Sequence, residues 1–526
     1  MRFEACLRDT AARRPQHTAL VCADQRLSYA GFDREVERCA AALVADAGLA
    51  NGERCVIFAD NRIETCVSIF ATLRAGGVFS VINPSTKAHK LAWVLNNCEA
   101  SVLTTQASLL GVALEAAAQV PSLRRIVLID GDEAGLQIPA PLPTIAWSAW
   151  QMLPVAPLPA APRGIDIDLA MLVYTSGSTG EPKGVMMTHQ NVLFAARSIS
   201  SYLDVGEHDV VLSVLPLAFD YGLYQLLMAV LCGYTLVLER SFAFPQKVLP
   251  LLAAEGVTGF PLVPTMAAML VQMKAFKPGW AAPVRFITNT AAALPPTHIA
   301  RLQQIFAGAR VFSMYGMTES KRCTWLPPGQ LATRPDSVGI AIPGTEIWVA
   351  DEAGQPLPPD TVGELVVRGG HVMQGYWRNE AATAKALKPG RYPWERVLHT
   401  GDLFRMDSAG YVYFVGRRDD IIKSRGEKVA PKEVEAALYA LPGIKEAAVI
   451  GVPDDVLGHA IRAVVVLAEG SALSAREILQ HCRSRLEDFM VPRDIEFREV
   501  LPKTDTGKIQ RARLQAEAEG REFGAE

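Results

Sequence analysis

No two cysteines in this chain stand at a CxxC spacing, and the nine present (Cys6, Cys22, Cys39, Cys55, Cys66, Cys98, Cys232, Cys323 and Cys482) are scattered and odd in number. A disulfide scaffold and a zinc site are both disfavoured, and a reducing cytosol is the expected setting. An excess of one charge is also missing. Fifty-two Lys and Arg stand against 55 Asp and Glu, a formal net charge of -3, which provides no global field to collect nucleic acid or anionic lipid. Long apolar runs are absent as well. The longest, residues 223–238, is broken by Gln225 and Gly233 and falls short of the roughly 20 residues that a membrane helix needs, so it reads as buried core. The first ten residues, MRFEACLRDT, lack the apolar segment of an export signal. No fixed-period repeat or low-complexity tract is present.

What remains is a large apolar chain. Its 526 residues exceed one ordinary domain, and half of them are hydrophobic, enough for sizeable cores. Residues 52–84 read as strand, helix, strand, and similar alternation recurs near residues 101–105, 126–129 and 210–215. The expected fold class is α/β, a layered domain with largely parallel strands over residues 1–417. The seven prolines between Ile138 and Pro162 predict a surface connection there. After about Gly416 the character changes. Pro431 can open a helix carrying Val434, Leu438 and Leu441, two strand-like runs follow, and Ser474 with Glu477 forms a capping-box pattern. Residues 418–526 are therefore expected to form a small α+β domain.

The chemistry concentrates in YTSGSTGEPKGV, residues 174–185, between an apolar run and helical sequence from Thr188. Gly177, Gly180 and Gly184 let the backbone come close to a ligand, while Thr175, Ser176, Ser178, Thr179 and Lys183 supply donors, a loop suited to phosphate. The expected order is strand, loop, helix. No Gly-Lys pair stands at the Walker spacing and no GxGxxG is present, which disfavours a P-loop kinase or GTPase.

This segment resembles the phosphate loop of the adenylate-forming superfamily, which includes acyl-CoA synthetases, peptide-synthetase adenylation domains and luciferases. The resemblance runs from RLSYAGF at Arg26 to PKTDTGKIQR at Arg511, with motifs in the family's order. It implies a large N-terminal domain, a small mobile C-terminal domain and AMP-forming activation of a carboxylate followed by transfer to a thiol, with ATP and Mg²⁺ as cofactors. By that resemblance Tyr315, Gly316, Met317, Thr318 and Glu319 (YGMTE) form the adenylate site: Tyr315 stacks on adenine, Thr318 donates to the α-phosphate and Glu319 holds Mg²⁺. Asp402 accepts from the ribose hydroxyls, Arg417 joins the nucleotide site, and Ala291, Ala292 and Ala293 supply backbone beside adenine, where the family more often has Gly or Pro. Lys508 offsets charge as one anion attacks another. Asp419 sits at the hinge, and Lys423 and Gly426 replace Lys508 for the thioester step, Gly426 lining a thiol tunnel.

The same resemblance places Phe219, Asp220, Tyr221, Tyr224, Ile287, Asn289, Met314, Arg322 and Cys323 around the acyl pocket, too bulky and polar for a long alkyl chain. Amino-acid-activating relatives use an aspartate at the position of Asp220 to pair the substrate ammonium. Without such a substrate, Asp220 needs a role as helix cap or a protein partner, for which Arg322 is the candidate. The acid is thus a small carboxylic or amino acid, and the acceptor is coenzyme A or the phosphopantetheine of a discrete carrier protein. A non-catalytic paralogue would be expected to have lost Lys508 or Glu319, and nothing in the sequence demands the oxygen chemistry of a luciferase.

Overall fold

The computed structural model describes residues 1–130, 144–152, 164–176, 182–273, 276–290, 296–420, 422–424, 427–454, 458–486, 490–504 and 507–520. The chain divides into two compact units. One comprises Met1–Pro335, Ala341–Glu346 and Val367–Leu398; the other comprises Asp336–Ile340, Ile347–Val366 and His399–Glu526.

The first unit is built on two sheets. In one, the strands Arg54–Phe58 and Val78–Ile82 flank the helix Ile63–Arg74 and pair in parallel, the βαβ unit expected from residues 52–84. Every residue of Val78–Ile82 is buried, as a strand covered on both faces requires. Ala100–Thr105 and Arg125–Leu128 extend the sheet in parallel, and Leu91, Leu95, Leu103, Ile126 and Leu128 share one apolar cluster. Thr144–Ala146 adds a strand at the edge, and Trp150 behind it is 1% exposed and donates to Asp46 at 3.1 Å. The segment expected to be only a surface connection therefore contributes sheet and core, because an aromatic patch lies between its prolines.

At the other edge the structure corrects a second expectation. Leu169–Ser176 is followed not by a helix but by the antiparallel strand Pro182–Thr188, and the helix His189–Leu203 begins only after it, opened by a Thr188–Asn191 capping box. The described residues on either side of the glycine-rich segment thus pair as antiparallel strands. The alternating apolar residues Val185 and Met187 supply the second strand, both fully buried.

In the other sheet, Val210–Ser213, Gly259–Leu262, Phe286–Asn289 and Arg310–Tyr315 run in parallel, so their carboxyl ends share one edge. The helix Asp220–Cys232 leaves the same edge after Ser213, and ten of its residues are buried, consistent with the reading of residues 223–238 as core.

In the second unit, the long antiparallel pair Ile444–Asp454 and Gly458–Leu467 carries Asp494–Phe497 in parallel alongside. The helix Pro431–Tyr439 starts with proline in its first turn, and Ser474 caps Ala475–Arg483 with Glu477 reciprocating, both as expected. Val434, Leu438, Val449, Ile461, Val465 and Ile478 form the core.

None of the nine cysteines forms a disulfide. Cys22 and Cys232 are half-buried and the others buried, which pushes the Cys6 and Cys482 thiols up to about 11. Among the described residues no helix is long and apolar enough to cross a membrane.

Candidate active site

In an open α/β sheet the crevice outside the carboxyl ends of parallel strands is where ligands bind. Four segments of the first unit converge on that edge: the start of the helix Asp220–Cys232, the end of Phe286–Asn289, the turn after Arg310–Tyr315, and the strand Gly375–Tyr376 beside the phosphate-loop hairpin.

The turn after Tyr315 is tightly folded. Gly316 packs so closely that a Cβ there would lie 2.0 Å from the Lys321 carbonyl oxygen, so only glycine fits. Lys321 itself adopts φ +60°, an unusual conformation for a residue with a side chain. Its ammonium is 1% exposed, donates to the Thr318 carbonyl at 2.8 Å, and is pulled down to about 8 by burial, against the pull of the Asp220 and Glu319 carboxylates. The turn holds Glu319 buried at 9% exposure, and the Met373 N–H donates to its carbonyl at 2.8 Å.

Glu319 Oε1 accepts a hydrogen bond from the Tyr376 hydroxyl at 2.8 Å. Tyr376 pairs with Val185 across the antiparallel strands, and the Lys183 ammonium lies 5.6 Å from the centre of its ring. One tyrosine thus ties the carboxylate of the YGMTE motif to the lysine of the glycine-rich loop. Sequence reasoning missed both Tyr376 and Lys321. Tyr376 lies 57 positions from Glu319 with no motif of its own, and a lysine in a turn ordinarily reads as solvated.

On the opposite side of the turn, Arg322 is 4% exposed, with its guanidinium 4.6 Å from the Tyr221 ring centre and 3.7 Å from Asp220 Oδ2. Asp220 has no capping role. Phe219 is the N-cap of its helix and Asp220 the first helical residue, with no side-chain cap bond. The protein itself supplies the cation, so the carboxylate needs no substrate amine to balance it. Gly222 brings the helix start against the chain before it, where a Cβ would meet the Pro216 carbonyl oxygen at 2.3 Å. The Tyr221 hydroxyl donates to the Thr288 carbonyl at 2.8 Å and accepts from the Thr288 hydroxyl at 2.6 Å, anchoring this helix to Phe286–Asn289. Tyr224, one turn beyond Asp220, is 1% exposed. Ile287, Asn289, Met314 and Cys323 are buried at or beside the same strand ends, and Met314 Sδ accepts from Tyr202 at 2.9 Å.

Thr175 and Ser176 end the first hairpin strand, and Lys183 lies on the second. Gly177, Ser178, Thr179 and Gly180 fall outside the described residues, as do Ala291, Ala292, Ala293 and Gly426. In the second unit, Asp402 and Arg417 face each other on antiparallel strands and pair at 3.1 Å, Asp402 being 4% exposed. Asp419 lies in the short helical turn Arg418–Asp420, and Lys423 in the strand Ile422–Ser424. Lys508 is exposed on a turn in which its N–H donates to the Thr504 hydroxyl at 3.1 Å and its carbonyl accepts from the Thr504 N–H at 2.7 Å.

Among the described residues no cluster of three His, Cys, Asp or Glu could hold a metal unaided. A single buried carboxylate such as that of Glu319 nevertheless fits Mg²⁺, which is commonly held by one or two carboxylates together with substrate phosphates.

A family model described as AMP-binding enzyme matches residues 7–377, and one described as AMP-binding enzyme C-terminal domain matches residues 433–508. The long-chain-fatty-acid–CoA ligase of Bacillus subtilis is 31% identical, with 98% of this chain and 94% of the relative covered. The feruloyl-CoA synthase of an Amycolatopsis species is 33% identical, covering 95% and 96%. The crystal structure of ATP-bound MatB from Rhodopseudomonas palustris superposes with a TM-score of 0.87 at 28% identity, covering 98% and 99%.

Proposed function

The chain belongs to the AMP-binding enzymes, among the AMP-forming acyl-CoA ligases, and from that membership we propose that it activates a small carboxylic acid as its acyl-adenylate and passes the acyl group to coenzyme A. The observation that carries this reading is the hub at Tyr376, which joins the buried carboxylate of Glu319 to the loop lysine Lys183. That arrangement suits a triphosphate, whose charge the loop and a carboxylate-held Mg²⁺ together screen.

In the first step a substrate carboxylate oxygen attacks the α-phosphorus of ATP, the α–β anhydride bond breaks, and pyrophosphate leaves. Thr175, Ser176, Lys183 and the loop between them hold phosphates; Thr318 donates to the α-phosphate; Tyr315 and Met317 border the adenine; Asp402 accepts from the ribose hydroxyls with Arg417 beside it. Lys508 bridges the two anions as they meet. In the second step the thiolate of coenzyme A attacks the acyl carbon, and the bond to AMP breaks. Lys423 and Gly426 serve that step, with Asp419 as the hinge for the residues that follow it.

The preference for a small acid rests on the pocket lining. Tyr221, Tyr224 and Arg322 are buried and bulky or charged, and half-buried Asp220 pairs with Arg322, a poor environment for a long alkyl chain. Arg322 also weakens the amino-acid alternative, because a substrate ammonium would meet a guanidinium as well as Asp220. The test is acid-dependent exchange of pyrophosphate into ATP over short aliphatic, aryl, amino and long-chain acids, followed by release of AMP on adding coenzyme A. Exchange with a small acid is expected. ADP as product, or exchange with long-chain acids alone, would refute the proposal.

A further inference from the structure

The helix Asp220–Cys232 and the turn at Arg322 enclose polar atoms that nothing in the adenylation chemistry uses. Tyr224 is 1% exposed and Arg322 4%, yet among the described residues neither the Tyr224 hydroxyl nor Arg322 Nε has a hydrogen-bond partner. Asp220 and Tyr224 stand four positions apart and so share a helix face. The Tyr224 phenol feels the charges of both Asp220 and Arg322. At 3.7 Å the Asp220–Arg322 contact is an ion pair but too long for a hydrogen bond, so the carboxylate and the guanidinium both keep capacity for a third party. Leaving buried donors unmet is costly, so each such group calls for a partner, which ordered water or a bound ligand can supply.

The charges in this cluster select the chemistry of that ligand. A second carboxylate could accept from Arg322 and Tyr224 but would lie against Asp220. An ammonium could donate to Asp220 but would lie against Arg322. A methyl group would satisfy nothing. A hydroxyl fits all three, donating to the Asp220 carboxylate while accepting from Arg322 Nε or Tyr224. We infer that the acid activated here carries a hydroxyl group, which Asp220, Arg322 and Tyr224 bind away from the reacting carboxylate. This inference rests on the ligase reading above and adds the substrate class.

The test compares matched acids that differ only in the hydroxyl: 4-hydroxycinnamate with cinnamate, 4-hydroxybenzoate with benzoate, and 3-hydroxybutanoate with butanoate. A site built to bond a hydroxyl rejects the analogue lacking it by orders of magnitude. In at least one pair the hydroxylated acid is expected to exceed its partner in kcat/KM by about 100-fold or more, and Tyr224→Phe should shrink that ratio to below about tenfold. Equal use of both members of every pair, or higher rates with malonate, succinate or free amino acids, would overturn the inference. A melting measurement reads the site without any acid. If the Tyr224 hydroxyl awaits a ligand, Tyr224→Phe melts at or above the wild-type temperature. A clear fall would mean that the hydroxyl is already satisfied within the protein and the inference is wrong. If no acid supports exchange, the ligase reading fails instead, and the melting result still decides this one.

Discussion

Replacing Tyr376 by phenylalanine removes the hydroxyl that bonds Glu319 at the centre of the proposed site. The ring, its backbone pairing with Val185, the bond from its N–H to the Thr383 hydroxyl at 2.9 Å and the Lys183 contact all survive the change. The 2.8 Å bond to Glu319 Oε1 is lost. A hydrogen bond to a charged acceptor is worth about 1.5–3 kcal/mol, and deleting it leaves a buried carboxylate short of a donor. At 1.4 kcal/mol per factor of ten, this corresponds to roughly 10- to 100-fold. If Tyr376 orients Glu319 for Mg²⁺, the loss should appear as slower pyrophosphate exchange. The Mg²⁺ concentration for half-maximal rate should rise, and calorimetry should show weaker binding of ATP in the presence of Mg²⁺. A rate and a Mg²⁺ dependence both equal to wild type would refute this role. A melting temperature lowered with the Mg²⁺ dependence unchanged would make the bond merely structural.

Three further expectations follow from other contacts. Lys508→Ala should abolish adenylate formation yet spare thiolysis of supplied acyl-AMP, whereas equal loss of both half-reactions would contradict the assignment. Gly316→Ala should lower stability by about 1–3 kcal/mol, read as a fall in melting temperature, because its Cβ would meet the Lys321 carbonyl oxygen at 2.0 Å; an unchanged melting temperature would show that the turn gives way. Burial holds His371, stacked on Phe194 at 5.5 Å, neutral down to about 4, while an unfolded histidine protonates near 6.5. Its folded value is depressed, so this contribution is fully present above pH 6.5 and is lost as pH falls toward 4, about 3 kcal/mol at 1.36 kcal/mol per unit. His371→Phe should flatten that limb of a melting-temperature profile, and an identical slope would assign the loss to other groups.

The sequence made the parallel strands legible because their apolar runs are continuous, and the small domain legible because Pro431 and Ser474 mark helix starts by local chemistry. The hairpin at the phosphate loop was hidden because residues 182–188 carry both strand and helix-compatible apolar residues, and only pairing with Leu169–Ser176 decides between them. The motif residues Glu319 and Thr318 were named from resemblance. Their support was not, since Tyr376 arrives from a distant strand through sheet pairing. Asp220 was conspicuous as an acid among apolar residues, but its partner could be settled only by distance, and the structure puts Arg322 there.

The sequestered thiols give the molecule an experimental use. With Cys6 and Cys482 raised to about 11 and only Cys22 and Cys232 half-buried, the native background should react sluggishly with maleimides at neutral pH. A single cysteine introduced at exposed Ser484, at the end of the helix Ala475–Arg483, would then take a fluorophore almost alone. Its emission, followed through one turnover, would test whether the residues after Asp419 change environment between the two proposed steps.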